Sequence, residues 1–432
     1  MNENVKRKVL IGLMILSVAP LPFTVTLPLA WGFNAPTWLY VSSVSGYFGL
    51  VGLLWMYMLG TKSVTGLYFR DLAPIYKFHT WLGKYGTLLV FLHPIAVAIS
   101  YGENILFYSW LPNFSTSFEK SVTWGRFAFW GLLIVWFTSA LVRGRIKYRP
   151  WKYIHYLAYI ALPLSLLHIP SIGTSYRALS FPRAYFMSVL FLAVLFTVLR
   201  LRHLFMLGRA DYVISRHNKI AQNTMLLQLM PLGRAITPRN GQYVYLQSSL
   251  LGLGHPFSLL QFDELTGSLT LAYKVFGDFT RDLANLQPGT HLYVDGPYGE
   301  FTKQKWGSPQ QPAVFLAGGI GVTPFVDYIL QNQGENWLFH ANKYRKNAIF
   351  SQQFTAKLGN RFVPLFSRES GPGTSNELLG RISSEVLSSR LALPAHYHYY
   401  ICGNEAFTKN AEEILNSLKV PSDKVHTELF SF

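Results

Sequence analysis

The chain has 432 residues, 50% of them hydrophobic and 16% aromatic, and a formal net charge of +17. That is too apolar for an ordinary soluble enzyme and, in its second half, too charged for a purely membrane-embedded protein, so a membrane half and a soluble half of two small domains are expected. The one cysteine, Cys402, rules out disulfides within the chain and a protein-ligated iron–sulfur cluster, which needs several thiolates. No nucleic-acid motif is present, which leaves lipid headgroups and topology signals as the source of the positive charge.

Six apolar stretches precede residue 209, at about 9–29, 38–60, 75–100, 124–142, 153–169 and 184–204. Most approach the ~20 residues that a bilayer requires. The first holds Pro20, Pro22 and Pro28, so its helix should be kinked or short. Lys6, Arg7 and Lys8 ahead of an apolar run mimic a signal peptide. No small-residue cleavage site follows and more spans come after, so a retained first helix is expected.

Basic residues set the orientation. Lys6, Arg7 and Lys8 precede the first stretch; Lys62, Arg70 and Lys77 separate the second from the third. Arg143, Arg145, Lys147, Arg149 and Lys152 separate the fourth from the fifth, and Arg200, Arg202 and Arg209 follow the sixth. The opposite loops carry only Lys120, Arg177 and Arg183. The expectation is a multi-pass protein of the cell (inner) membrane, with both termini and the soluble half cytoplasmic.

The third stretch carries His79 and His93, and the fifth His155 and His168. The spacings are 93 − 79 = 14 and 168 − 155 = 13. Fourteen residues of helix climb roughly 21 Å in nearly four turns, which keeps both imidazoles on neighbouring parts of one face. Ionisable side chains are costly at bilayer depth, and four of them in two similar pairs need a shared reason. Two helices running the same way can hold two haems one above the other, each iron taking one imidazole per helix. His79 and His155 then serve the cytoplasmic side, and His93 and His168 the outer side. Gly83 and Gly86 between the ligands would let a macrocycle approach the backbone. Thirteen ideal residues end about 220° past whole turns, so the fifth helix is expected to kink or rewind near Pro163.

After Arg209 long apolar runs give way to short alternating ones. Strands are expected at 211–216, 224–230, 242–247 and 268–275, separated by Gly, Pro and Asn turns, as a small antiparallel barrel ending near Gly296. From Ala313 strands at 313–317, 337–341, 361–366 and 397–402 alternate with helices, the pattern of a parallel α/β nucleotide domain. The expected domains are residues 1–209, 210–310 and 311–432.

Leu316-Ala317-Gly318-Gly319-Ile320-Gly321-Val322-Thr323-Pro324 follows a strand and opens a helix. Its glycines allow backbone contact with a dinucleotide pyrophosphate at the helix N-terminus. Lys343, Arg345 and Lys346 follow the next strand, and no Asp or Glu occupies that strand end in the sequence. This favours NADPH, with NADH as a second donor.

Other motifs of the soluble half resemble the ferredoxin-NADP reductase-type flavin module. His255-Pro256-Phe257-Ser258 is similar to the flavin motif of the NADPH oxidase and ferric reductase branch, in which the final hydroxyl bonds the isoalloxazine ring. Lys274-Val275-Phe276-Gly277-Asp278-Phe279-Thr280 resembles the second flavin segment. There Gly277 permits the turn, and the next helix offers N–H groups to the pyrophosphate. Gly296-Pro297-Tyr298-Gly299-Glu300 closes the barrel as in that family. Cys402-Gly403-Asn404 resembles the nicotinamide-side motif. Phe432, at the end of Glu428-Leu429-Phe430-Ser431-Phe432, takes the place of a terminal aromatic that stacks on flavin and yields to nicotinamide.

Taken together, the chain resembles the prokaryotic NADPH oxidase and ferric reductase-like transmembrane flavocytochrome b family over nearly its whole length. The resemblance implies an all-α six-helix haem-binding membrane bundle, an FAD-binding antiparallel β-barrel and an α/β NAD(P)H domain. It implies FAD, NADPH and two b-type haems as cofactors. It also implies electron transfer to oxygen, giving superoxide, or to a ferric or cupric chelate, with a partner protein as a further alternative acceptor. No calcium-binding loop of the D-x-[DN]-x-[DN]-G type and no obligate protein partner is evident in the sequence.

Overall fold

The computed structural model describes residues 3–66, 68–69, 72–102, 111–173, 180–205, 209–239, 241–249, 252–299, 301, 312–332, 334–371, 373 and 376–429. Two compact units divide at His203 and Leu204.

The first unit is helical. Its first helix, α1 (Glu3–Val18), is only 16 residues long, and a single 3₁₀ turn, Leu21–Thr24, follows it. Pro20 and Pro22 bracket the stop, as Pro cannot supply the N–H that would extend the helix. Among the described residues, five further helices are long and apolar enough to cross a membrane: α2 (Ala35–Leu59), α3 (Ala73–Tyr101), α4 (Ser117–Leu141), α5 (Tyr148–Ile172) and α6 (Ser180–Leu204). Asn34 caps α2, its side-chain oxygen accepting the Thr37 N–H at 3.0 Å. α2 packs along the second half of α3, and α4 along the second half of α5. Leu50, Leu54, Leu132, Leu162 and Phe186 form the centre of the bundle.

Two helices depart from ideal winding. In α3 a π-turn spans Leu82–Gly86, and Gly83 and Gly86 both lie within it. α5 breaks at Tyr156–Leu157 rather than at Pro163. There Leu157, Tyr159 and Ile160 each donate to the carbonyl three residues back, at 3.0 Å. Pro163 has no N–H for the Tyr159 carbonyl, so the turn ahead of the proline rewinds and the proline itself stays helical. A π-turn takes more residues per turn and a 3₁₀ turn fewer. The ideal windings of about 1400° for 14 residues and about 1300° for 13 are thereby drawn toward each other.

The second unit joins a barrel to a parallel sheet. β1 (Ala210–Ala221), β2 (Thr224–Pro231), β3 (Tyr243–Gln247), β4 (His255–Phe262), β5 (Leu269–Lys274) and β6 (His291–Tyr298) close in the order β1-β2-β5-β4-β3-β6. All of its pairings are antiparallel. Tyr212, Leu227, Val244, Leu271 and Val294 fill the interior. A short helix, α7 (Asp278–Ala284), follows β5. The sequence hid β4 and β6, because Pro256 interrupts the alternation of one and Gly296-Pro297 that of the other.

The sheet takes the order β10-β9-β8-β7-β11-β12 and is parallel throughout. Its strands are β7 (Ala313–Gly318), β8 (Trp337–Asn342), β9 (Phe362–Phe366), β10 (Leu378–Leu379), β11 (His398–Gly403) and β12 (Val425–Leu429). Its helices are α8 (Thr323–Gln331), α9 (Ser351–Leu358), α10 (Ser384–Arg390) and α11 (Glu405–Ser417). Val314, Leu316, Phe339, Val363, Tyr399 and Ile401 are fully buried, as expected of strands covered on both faces. The order reverses beside β7, and that puts a crevice at the carboxyl ends of β7, β8 and β11.

Candidate functional site

In the membrane unit the four histidines form two matched pairs. The ring centroids of His79 and His155 are 6.1 Å apart, with planes at 73°. Those of His93 and His168 are also 6.1 Å apart, with planes at 90°. Two imidazoles on opposite sides of one metal ion, each nitrogen about 2.0–2.1 Å from it, place their ring centroids roughly 6 Å apart. Both pairs have that separation.

The backs of three of the four rings are held by the neighbouring helices. His93 Nδ1 donates to the Ser42 carbonyl at 2.8 Å, and His168 Nδ1 donates to the Ser121 carbonyl at 2.9 Å. A backbone acceptor on Nδ1 fixes the tautomer and leaves the Nε2 lone pair as the ligand. His155 Nδ1 lies 3.2 Å from Ser139 Oγ, which also accepts the Trp151 indole N–H at 3.1 Å.

Glycines make room for these rings. A Cβ on Gly46 would stand 2.9 Å from His93 Nδ1, one on Gly60 3.1 Å from His79 Cε1, and one on Gly125 2.6 Å from His168 Cε1. None of these glycines was singled out in the sequence, because the contacts are between helices. Gly83 and Gly86 lie instead beside Met56 and Leu82.

In the second unit the flavin motifs meet. β4 presents His255-Pro256-Phe257-Ser258, and β5 ends at Lys274, where the second motif begins. The rings of His255 and Phe279 stack at 4.0 Å and 16°, bringing the start of β4 against the start of α7. The Thr280 hydroxyl accepts from the Phe276 and Gly277 N–H groups at 2.9 and 3.0 Å, so it shapes the loop between the motifs. Phe257 is in the barrel core. Ser258 is buried, and its Oγ has no hydrogen-bond partner among the described residues. That is an unspent donor at the motif's final position.

At the end of β6, Gly299 adopts φ +95, and its carbonyl accepts from the buried Gln242 amide at 3.1 Å. A Cβ there would stand 3.1 Å from Glu428 Oε1. Glu428 in turn pairs with Cys402 across β12 and β11. Three motifs separated in sequence, at Gly296-Pro297, Cys402 and Glu428, therefore converge. Cys402 is fully buried, and its thiol is pushed up by that burial and by the Glu428 carboxylate. Glu300 and Phe432 lie outside the described residues.

The glycine-rich segment divides its labour. Gly318 and Gly321 are packing positions: a Cβ would stand 2.8 Å from Phe407 Cγ in the first and 2.7 Å from the Cys402 carbonyl carbon in the second. Gly403 is likewise pressed on Phe407. Gly319 alone of this group has φ +59, with open space where a Cβ would be, so it is the position at which a ligand can approach the backbone. Ile320 and Val322 complete a 3₁₀ turn, the Thr323 hydroxyl donates to the Ile320 carbonyl at 3.0 Å, and Pro324 opens α8.

Beneath this loop lies His340 of β8, which carries no motif in the sequence. It is fully buried and its Nε2 donates to the Gly319 carbonyl at 2.9 Å. Burial holds its pKa down at about 4, against the opposing pull of the Gly319 bond. A small cleft, lined by Lys274, Gly319, Ile320, Asn342 and Asn347 among others, opens beside the loop. Arg345 is engaged by Glu369 and Glu377.

The comparisons with known proteins agree with this division. Residues 45–166 match the model of a ferric reductase like transmembrane component, and residues 315–413 that of an oxidoreductase NAD-binding domain. A component of the 1,2-phenylacetyl-CoA epoxidase of Escherichia coli is 30% identical over 221 residues, 46% of this chain and 61% of that protein. A flavohemoprotein of Deinococcus radiodurans is 30% identical over 159 residues, 34% of this chain and 38% of that protein. The chain thus spans less than two thirds of the length of either relative. Among solved structures, a flavohemoglobin from Malassezia yamatoensis is similar with a TM-score of 0.48 and 19% identity, over 91% of this chain and 97% of that one.

Proposed function

We propose, for a chain that joins a ferric reductase-like transmembrane domain to a ferredoxin-reductase-type FAD/NAD-binding unit, that it carries electrons from NAD(P)H across a membrane through FAD and two b haems. The observation that carries this reading is the pair of 6.1 Å histidine couples in the membrane unit. FAD supplies the change from a two-electron hydride to single electrons, and the haems supply one-electron stations. His79 with His155 would hold one haem, and His93 with His168 the other. With both imidazoles of each pair committed to a haem, an acceptor would find no open coordination site and would take its electron without ligation.

The protein's own residues position and shield. The Ser42 and Ser121 carbonyls orient two of the imidazoles. Ser258 would offer its hydroxyl to the flavin ring, and Thr280 holds the loop that would meet the flavin's phosphates. Gly319 would admit the dinucleotide, and Cys402 and Gly299 would flank its nicotinamide end. Phe432, outside the described residues, is proposed as a cover for the flavin that yields to nicotinamide, so that removing it would alter flavin reduction kinetics while sparing haem content. The basic loops favour a cytoplasmic side for the second unit and both termini.

Oxygen is the acceptor on the opposite side and superoxide the product in this reading, since an edge reached without ligation suits a small neutral molecule. Phe114, in the loop before α4, supports it by packing on Trp124 at 6.2 Å. The deciding experiment is cytochrome c reduction driven by NAD(P)H, with and without superoxide dismutase. Reduction insensitive to the dismutase, together with fast anaerobic Fe(III) reduction, would replace this reading with a ferric chelate reductase. A chain that binds fewer than two haems would overturn the route itself.

A further inference from the structure

Beyond the carboxyl end of β8, whose Asn342 lines the cleft, the sequence shows three cations and no acid. Folding brings two acids there. After β8 and β9 the parallel ladder continues into the loops, the Ser367 and Arg368 N–H groups donating to the Asn342 and Lys343 carbonyls at 3.0 Å. That extension lays Glu369 on Arg345. The Arg345 backbone N–H donates to Glu369 Oε1 at 2.7 Å, and its Nη1 is 3.6 Å from Glu369 Oε2. From the other side Glu377, just before β10, accepts from Arg345 Nε at 2.8 Å. The remaining nitrogen, Nη2, is buried and faces Gly373, where a Cβ would stand 3.0 Å away. The guanidinium also lies over the Phe366 ring, at 5.5 Å.

Two carboxylates thus engage one arginine, whose side chain is 32% exposed. The end of the second strand of a βαβ unit is where a dinucleotide's adenosine ribose is read: a carboxylate there accepts from a bare 2′-hydroxyl, and a free arginine accepts a 2′-phosphate. A second observation marks the same strand end as a ligand site. Asn342, the last residue of β8, is 8% exposed, lines the cleft with Gly319 and Lys274, and has an Nδ2 without a hydrogen-bond partner among the described residues.

Resting on the reading of this unit as an NAD(P)H reductase, we infer that the Glu369–Arg345–Glu377 cluster makes the donor site select NADH over NADPH. A 2′-phosphate brought to Arg345 would compete with Glu369 and Glu377, whose side chains are 23% and 15% exposed, and would set a doubly charged group beside both carboxylates. Lys343 and Lys346 are exposed and screen that repulsion only weakly.

The test uses the full-length protein in detergent. kcat/KM for NADH and NADPH is measured together with equilibrium binding of 5′-AMP and 2′,5′-ADP, which need no redox step. The expected result is an NADH preference of about tenfold or more, the size of an unrelieved like-charge contact, and tighter binding of 5′-AMP. Glu377→Gln and Glu369→Gln should each move both ratios toward the phosphorylated ligand. Preference of the wild type for NADPH, with Arg345→Ala abolishing it and sparing NADH, would overturn the inference; so would ratios unmoved by both glutamine variants. If neither dinucleotide reduces flavin, the reductase reading fails, and the two adenosine ligands still read the selectivity of the cleft.

Discussion

Gly125 of α4 lies so close against His168 of α5 that a Cβ would stand 2.6 Å from the ring's Cε1. The imidazole cannot retreat without losing its 2.9 Å bond to the Ser121 carbonyl. Gly125→Ala should therefore push His168 off its position and lower haem content at that pair, while haem at the other pair is retained. Gly131→Ala in the same helix, where nothing lies within 4 Å, is the control and should leave haem content unchanged. Pyridine haemochrome titration of the purified variants measures both; equal haem in the two would show that Gly125 has no part in seating the ring.

His340 gives the second unit a pH dependence of defined sign. Its folded pKa is about 4, below the ~6.5 of an unfolded histidine. Between these values the unfolded chain binds the proton and the folded chain does not, so stability is full above about pH 6.5 and falls as pH drops toward 4. A shift of that size corresponds to about 3 kcal/mol. His340→Gln keeps a donor for the Gly319 carbonyl and removes the titration, so the gap between variant and wild type should change across this window and be flat above it. Urea unfolding midpoints at several pH values check this.

Gly319 and Gly321 should fail in different ways. Alanine at Gly321 meets the backbone of Cys402, where no side chain can move aside, so the sheet unit itself should lose stability or not fold. Alanine at Gly319 meets no atom but is held at φ +59, a strain of about 1–2 kcal/mol. That variant should fold, retain flavin and bind dinucleotide more weakly. Expression level, flavin content and nucleotide affinity separate the two outcomes.

How much of this was legible in the sequence depended on the range of each interaction. The histidine pairs were visible because 14 and 13 residues fall within single helices, and the flavin motifs because each lies in one short run. The rewinding of α5 was expected near Pro163 and lies in the turn ahead of it, at Tyr156–Leu157, since a proline disturbs the turn that precedes it. Gly46, Gly60 and Gly125 carry no sequence signal, as each touches a histidine on another helix. Arg345 read as an open phosphate site because Glu369 and Glu377 are 24 and 32 residues away along the chain. His340 read as one more position in a buried strand, and only the fold sets its Nε2 under Gly319.

Thr280 should matter for FAD retention out of proportion to its size. Its hydroxyl accepts two backbone N–H groups, from Phe276 and Gly277, and donates to the Gly277 carbonyl at 3.0 Å. Thr280→Val keeps the shape and removes all three bonds, a loss of about 1 kcal/mol or more for a helix-cap hydroxyl. The expected result is weaker FAD binding with unchanged haem content. Thr280→Ser should restore it, and FAD affinity equal to wild type in the valine variant would remove the loop from the flavin site.

Cys402 is the residue most easily mistaken for a nucleophile. It is fully buried, and burial first and the Glu428 carboxylate second raise its thiol pKa, above the ~8.5 of a free cysteine. A thiolate is the reactive form, so the folded protein should resist iodoacetamide at pH 7 to 9 and become labelled only on unfolding. For the same reason the rate of flavin reduction should show no inflection from a thiol across that range. Its contribution is then steric, because its backbone bears on Gly321 and its strand partner Glu428 reaches Gly299. Cys402→Ser should retain flavin content and slow hydride transfer only modestly. Rapid alkylation of the native protein, or a reduction rate that rises with a thiol-like pKa, would instead make Cys402 a reactive group.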